Sequence, residues 1–198
     1  ENALAAHAPD EALEYFQSAL DVKSNQPMDS EMARVYLGLA EAQGATADIV
    51  AADQIVAILR KAYNHFVETE DMESAATAAG VPFHTLPGQR TGISGLIADA
   101  LSRLPEDSPM AAPLICRFMR VMAMEEGDYE SSKDAFPRAL DAARRLGDVD
   151  LEMRTLVYAA EADMNYQHLE DALEKVFEAL ELAPQSSDLL NEMMAHFF

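Results

Sequence analysis

The sequence predicts an all-α protein, an α-α superhelix of about ten helices arranged in antiparallel pairs. Three observations carry that expectation. Ala, Leu, Glu and Met are abundant, β-branched residues are thin and tryptophan is absent, a balance that favours helix over sheet. A short apolar motif returns about every 40 residues along the whole chain. Gly-Asp pairs and prolines fall between the segments that carry the motif.

The motif is an aromatic or aliphatic residue, two further positions, then alanine followed by another apolar residue. Its copies are Phe16/Ala19/Leu20, Leu59/Ala62/Tyr63, Ile97/Ala100/Leu101, Phe136/Ala139/Leu140 and Val176/Ala179/Leu180, with successive alanines 43, 38, 39 and 40 residues apart. Each copy sits on a segment with apolar residues at helical spacing, and another helical segment precedes each later copy. One repeat is therefore a pair of antiparallel helices, and the small alanine lets the two approach closely.

Taken in order, the helix Asp10 to Lys23 carries the first copy, and Asp29 to Gln43 opens the next pair. Ala47 to Thr69 carries the second copy and Met72 to Ala79 follows it. The glycine-rich stretch Pro87 to Gly95 reads as a connecting loop, with Thr91 or Ser94 capping the helix Ile93 to Leu104 that holds the third copy. Pro109 to Glu126 ends at Gly127-Asp128, and Tyr129 to Leu146, with the fourth copy, ends at Gly147-Asp148. Asp150 to Tyr166 pairs with Leu169 to Leu182, which bears the fifth copy, and Ser187 to Phe198 completes the set. A single pair cannot bury both of its apolar faces, so stacking stabilises the array and one continuous domain over residues 1–198 is expected. Because the chain opens at Glu1, in a segment already helical in character, it reads as a piece of something longer.

The repeat from about Leu156 to Pro184 resembles the tetratricopeptide pattern. Ala159 and Ala160 supply the small residues of the first helix, Leu169 and Ala172 open the second, and Val176, Ala179 and the terminating Pro184 follow. It departs from that pattern at Asp163 and Met164, where a large aromatic is usual, and its period exceeds the usual ~34 residues. Longer repeats of this kind resemble the helical regions of large bacterial signalling ATPases, including LuxR-type transcriptional regulators of the maltose-activator sort. Leu104-Pro105-Glu106-Asp107-Ser108, Gly127-Asp128-Tyr129 and Ala142-Ala143-Arg144-Arg145-Leu146-Gly147-Asp148 carry that likeness. The resemblance implies a non-catalytic segment between a nucleotide-binding domain and a DNA-binding helix-turn-helix, sensing an inducer or holding an inactive assembly. A free-standing adaptor gripping a peptide in its groove is the alternative.

Composition excludes several other roles. With 35 acidic against 14 basic residues and a net charge of −21, the chain repels nucleic-acid phosphates and anionic headgroups, so direct DNA binding and membrane attachment are not expected. No apolar run reaches membrane-spanning length. Cys116 is the single cysteine, which rules out an intramolecular disulfide and suits a reducing, cytoplasmic setting; beside Ile115 and Phe118 it reads as a core thiol.

Nothing in the sequence assembles a catalytic centre. Leu96 and Ile97, not lysine and serine, follow the last glycine of Pro87 to Gly95, so that loop is no Walker cradle. His7, His65, His84, His168 and His196 are dispersed singly, with no pair at the i, i+4 spacing of a helical metal site. Acidic pairs such as Glu125/Glu126 and Glu68/Glu70 lack a nucleophile or base beside them. No enzyme activity, cofactor or metal is expected, and a protein, a peptide or a small-molecule inducer is the expected partner.

Where that partner sits follows from the resemblance. The first helix of each tetratricopeptide pair lines the groove, which by position places Arg117, Val121 and Met124 on one helix, with Arg154, Val157, Glu161 and Met164 on the next, and adds Arg34. Met124 lies off the core stripe of Ile115, Phe118, Met119 and Met122 and is a candidate for the binding surface. The arginines either receive a carboxylate or phosphate bidentately or pair with acids along their own helices. The last helix carries Leu189, Leu190, Met193, Met194, Phe197 and Phe198 on one broad apolar face, which is expected to be covered by a second copy of the chain, as a homodimer, or to fold back on its own repeat.

Overall fold

The computed structural model describes residues 9–23, 27–46, 51–105 and 108–198. His7, the segment 47–50 expected to begin the third helix, and Glu106-Asp107 of the motif after Leu104 lie outside the described residues. Within them the chain is all-helical, with ten α-helices and no strand. These are α1 Pro9–Lys23, α2 Ser30–Ala45, α3 Ala52–Glu68, α4 Met72–Gly80, α5 Ile93–Arg103, α6 Ala111–Val121, α7 Tyr129–Leu146, α8 Val149–Asn165, α9 Leu169–Leu182 and α10 Leu189–Phe197. A π-helical turn, Met122–Glu126, extends α6, and a 3-10 turn, Ala183–Gln185, follows α9. The chain divides into two compact units, Glu1–Leu104 with α1 to α5 and Pro105–Phe198 with α6 to α10.

Four helix junctions are made by two or three residues each, and all four use the same device. After α3, α6, α7 and α8 come Glu70, Gly127, Gly147 and Gln167, with φ of 59°, 74°, 65° and 66°. The residue that follows donates its backbone N–H back across the finished turn: Asp71 to Phe66 and Asp128 to Met122 at 2.8 Å, Asp148 to Ala143 at 3.2 Å, and His168 to Asp163 at 2.8 Å. Three of these residues then cap the next helix. The carboxylates of Asp71, Asp128 and Asp148 accept the N–H groups of Ser74, Ser131 and Leu151 at 3.1, 3.0 and 2.9 Å. Asp29 and Asp188 cap α2 and α10 in the same way, through Met32 and Asn191. Part of the acidic surplus therefore terminates helices.

The loop between α4 and α5 has no aspartate cap. Gly92 occupies the cap position of α5 in a left-handed conformation, and the hydroxyl of Thr91 accepts the N–H of Ile93 at 3.3 Å. In the same unit Gly44 of α2 lies under the carbonyl of Pro82, where a Cβ would stand 2.3 Å from the oxygen. This glycine admits the chain leaving α4 onto the back of α2.

Packing follows the recurring motif. Ala62, Ala139 and Ala179 have no exposed surface and Ala100 is buried, while Ala19 on α1 is half-buried. Consecutive helices pack together throughout each unit. In the first unit, Phe66, Ile55, Leu59, Ile93 and Ile97 form the largest buried side chains, and the Tyr63 hydroxyl donates to Asp99 at 2.6 Å. In the second, α6 packs on α8 and α8 on α10, with α7 and α9 laid against them. Leu140, Met153, Leu156, Val157, Ala179 and Ala195 form its central cluster.

The π-helical turn was not legible in the sequence, where Pro109 to Glu126 reads as one α-helix. Its wider winding buries Ala123 and Glu125 and leaves Met122 and Met124 half-buried. The Ala123 carbonyl accepts the Tyr166 hydroxyl at 3.2 Å, so a side chain at the end of α8 satisfies a carbonyl of the π turn.

Gln167 pays a steric cost for a left-handed conformation that glycine adopts freely, on the order of 1 kcal/mol. Replacing Gln167 by Gly is expected to raise unfolding stability by roughly 0.5–1 kcal/mol in urea titration, and Gly147→Ala to lower it by about 1 kcal/mol. Opposite signs at both positions would show that the junctions are not under this constraint.

Candidate functional site

The second unit gathers arginines in a chain that has few cations. On α8, Arg154, Tyr158 and Glu161 follow one another at four and three residues and so share one helix face. Arg117 and Arg120 stand three residues apart on α6, which packs against α8. Arg120 binds Glu161 bidentately, Nε to Oε2 at 2.8 Å and Nη2 to Oε1 at 3.2 Å, and its guanidinium carbon lies 5.0 Å from the centre of the Tyr158 ring. Arg154 directs Nε and Nη2 to one oxygen of Asp188, at 3.1 and 2.6 Å. Arg117 feels the buried carboxylate of Glu125 on the π turn.

Burial and charge work against each other here. Burial pulls Arg117 down to about 10, with Glu125 acting in the other direction. Burial would likewise lower Arg120, but the hydrogen bonds and charge of Glu161 raise it above its ordinary value. Asp188 shows the mirror image: burial tends to raise its pKa, and Arg154 with Asn191 lowers it overall. Cys116 on the same helix is wholly buried and burial pushes its thiol up to about 11, which makes it an inert core group. Arg120 is paired with Glu161 and lies over the Tyr158 ring, Arg154 is paired with Asp188, and Arg117 is under the influence of Glu125.

The residues singled out from the sequence fall into four kinds of place. Arg117, Arg154 and Glu161 come together in this cluster. Val121 and Val157 are buried, Val157 inside the central apolar cluster, so neither offers surface to a partner in this arrangement. Met124 is half-buried in the π turn and Met164 is 36% exposed near the end of α8. Arg34 is exposed on α2, in the first unit. Of the last helix, Met194 and Phe198 fold back on the central cluster, whereas Leu189, Leu190, Met193 and Phe197 remain exposed. Asn191 and Ala195 take the buried side of that helix.

Arg120, Tyr158 and Asp188 were missed, and Glu125 reads from the sequence only as one of an acidic pair with no nucleophile or base beside it. A usable signal existed, because several polar contacts join residues about one motif period apart: Arg120–Glu161 at 41, Tyr63–Asp99 at 36, and Arg154–Asp188 and Tyr129–Asp163 at 34. Scanning for opposite charges at that separation finds the first and third pairs.

No family model matches the chain, and no curated protein matches it.

A second polar cluster lies where α7, α8 and α9 meet. Asp163, only 5% exposed, accepts the Tyr129 hydroxyl at 2.7 Å and the Lys175 ammonium at 2.6 Å. Tyr129 stacks on Tyr166 and on His168 with centroids 4.8 Å apart, and Lys175 lies 5.3 Å from the Phe136 centroid. Burial, then the bond to Asp163, raises the Tyr129 pKa. The adjoining cavity, of about 110 Å³, is lined by Met119, Tyr129, Phe136, Ala159, Asp163 and Lys175. That is well below the ~300 Å³ of a metabolite pocket. The aspartate that departs from the tetratricopeptide pattern is thus a joint between helices. Among the described residues no His, Cys, Asp or Glu group is arranged to hold a metal ion, and no helix is long and apolar enough to cross a membrane.

Lys175→Met strands Asp163 with a single neutral donor and is expected to cost about 3 kcal/mol of stability, whereas Asp163→Leu combined with Lys175→Met recovers most of the loss. A single substitution that costs under about 0.5 kcal/mol would show the pair to be solvated.

The turn before α10 supplies a pH dependence. Asp150 accepts the Ser186 hydroxyl at 2.6 Å and the N–H and hydroxyl of Ser187 at 2.7 and 2.6 Å, bonds that pull its pKa down to about 2. A carboxylate whose folded pKa is depressed stabilises the fold fully above its unfolded value near 4, and that contribution disappears as pH falls toward 2. Amide protection of residues 189–197, corrected for intrinsic exchange, is expected to fall between pH 4.5 and pH 2. Asp150→Asn is expected to lower that protection at pH 4.5 and flatten the dependence.

Proposed function

We propose that this chain is a non-catalytic interaction and sensing segment, a tetratricopeptide-like superhelical array of helix pairs within a multidomain regulator of the LuxR-type, signalling-ATPase kind. The single observation that carries the reading is the Arg117, Arg120, Arg154 and Tyr158 cluster, built on α6 and α8 with polar pairs one repeat apart. An aromatic ring flanked by guanidinium groups suits recognition more than turnover, because arginine stays protonated and cannot act as a base at neutral pH. The ligand it fits carries a carboxylate or phosphate, on a protein or peptide or on a small-molecule inducer. Binding replaces an internal arginine–carboxylate pair by an external one, so occupancy of the face is coupled to the stacking of α6, α8 and α10.

Isothermal titration with acidic peptides and with phosphorylated and carboxylated metabolites tests this. The expected result is binding that weakens roughly tenfold or more in Arg120→Ala or Arg154→Ala while helix content is retained. Binding unaffected by these substitutions, or a parent reading frame that encodes neither a nucleotide-binding domain nor a helix-turn-helix, would remove the reading.

A further inference from the structure

Seven large apolar side chains stand exposed on α9 and α10. On α9, Leu169, Leu173 and Phe177 recur every four residues and form one stripe, with Phe177 63% exposed. On α10, Leu189, Leu190, Met193 and Phe197 share the side opposite the buried Asn191 and Ala195, with Leu189 at 74% and Phe197 at 81%. The helices belong to one unit and pack together, and Phe198 and Leu180 meet on the cluster of Ala160, Ala172 and Val176. That shared cluster marks the seam between them; Leu173 and Phe177 stand seven and three residues before Leu180 on the same side of α9, and Phe197 immediately precedes Phe198 on α10. By contrast α7, whose neighbours cover it, exposes only Leu146 among its large apolar residues.

The rim of this face has one sign. Glu170, Glu174 and Glu181 are exposed on the solvent side of the α9 stripe, and Glu192 stands on α10. Lys175 is the only lysine or arginine from Leu169 to Phe198, and it is committed to Asp163 on the far side of α9. A second copy of the chain docking through this face sets these carboxylates against themselves. An anionic lipid surface meets the same repulsion. The stripe from Leu169 to Phe177 is about 12 Å long, the reach of two to three helical turns.

We propose that the α9–α10 seam is a docking groove for an amphipathic helix whose apolar side chains recur at three-to-four spacing and whose flanks are basic. Its apolar positions fill the trough between the Leu173/Phe177 and Leu190/Met193 banks, and its lysines or arginines pair with Glu170, Glu174 and Glu181. This surface is separate from the arginine cluster on α6 and α8 and takes the opposite charge.

Two synthetic helical peptides of about 16 residues test it, with identical leucine positions and either lysine or glutamate at the flanks. Fluorescence anisotropy is expected to show the lysine peptide binding at least tenfold more tightly than its twin, with the difference shrinking as salt rises. Phe177→Ser and Leu190→Ser should each weaken binding about tenfold with unchanged circular dichroism, and Glu170→Gln/Glu174→Gln/Glu181→Gln should abolish the preference while leaving residual binding. Arg120→Ala, whose partner Glu161 lies on α8 and not on α9 or α10, should leave this binding unchanged, which separates it from the arginine face. Equal binding of both peptides, binding of neither, or a dimer in sedimentation that Phe177→Ser dissolves would overturn the proposal.

Discussion

Each helix of this chain has an apolar face that only its neighbours can cover, and the recurring alanine is what lets the neighbour come close enough. A methyl group at a helix contact permits a shorter interaxial distance than a larger side chain would. Ala62, Ala139 and Ala179 have lost all solvent contact, and Ala179 shares a cluster with Leu140, Met153, Leu156 and Val157. The polar contacts obey the same spacing. Arg120–Glu161 joins α6 to α8 and Tyr129–Asp163 joins α7 to α8, each across about one period of the motif.

The acidic surplus has a use at each level. Five aspartates terminate helices by accepting backbone N–H groups, where the partial positive charge of a helix start favours a carboxylate. Others hold cations: Asp99 holds Arg103, Glu161 holds Arg120, Glu152 and Glu178 share Arg144, and Asp188 holds Arg154 while capping α10. The carboxylates left over line exposed surfaces such as the outer side of α9. One molecule thereby presents two faces of contrasting chemistry, an arginine cluster balanced by internal acids and an apolar groove with an acidic rim.

The helices were legible because their signal is periodic and redundant. Ten segments of apolar residues at helical spacing, separated by Gly-Asp, proline or short polar stretches, leave little room for another architecture. Gly127-Asp128 and Gly147-Asp148 announced their junctions because glycine adopts a left-handed backbone without strain. Glu70-Asp71 and Gln167-His168 make equivalent junctions from residues that carry no such signal. The π turn was hidden for a related reason: its hydrogen-bond register is supported by Tyr166, a residue 43 positions from the carbonyl it satisfies.

The candidate site was legible only in part. Arg117, Arg154 and Glu161 could be placed on facing helices by repeat position, but Val121 and Val157 point into the core. Helical phase drifts over a long helix, and a shift of one residue turns a side chain by about 100°. What the sequence by itself determined is the order and kind of elements, since hydrophobic periodicity, helix propensity and capping are local properties of short segments. Which aspartate closes on which arginine, which carboxylate is buried, and which apolar stripe stays in water were decided by tertiary structure. Those outcomes depend on distances between helices some 34 to 41 residues apart, set by packing after the local choices are made.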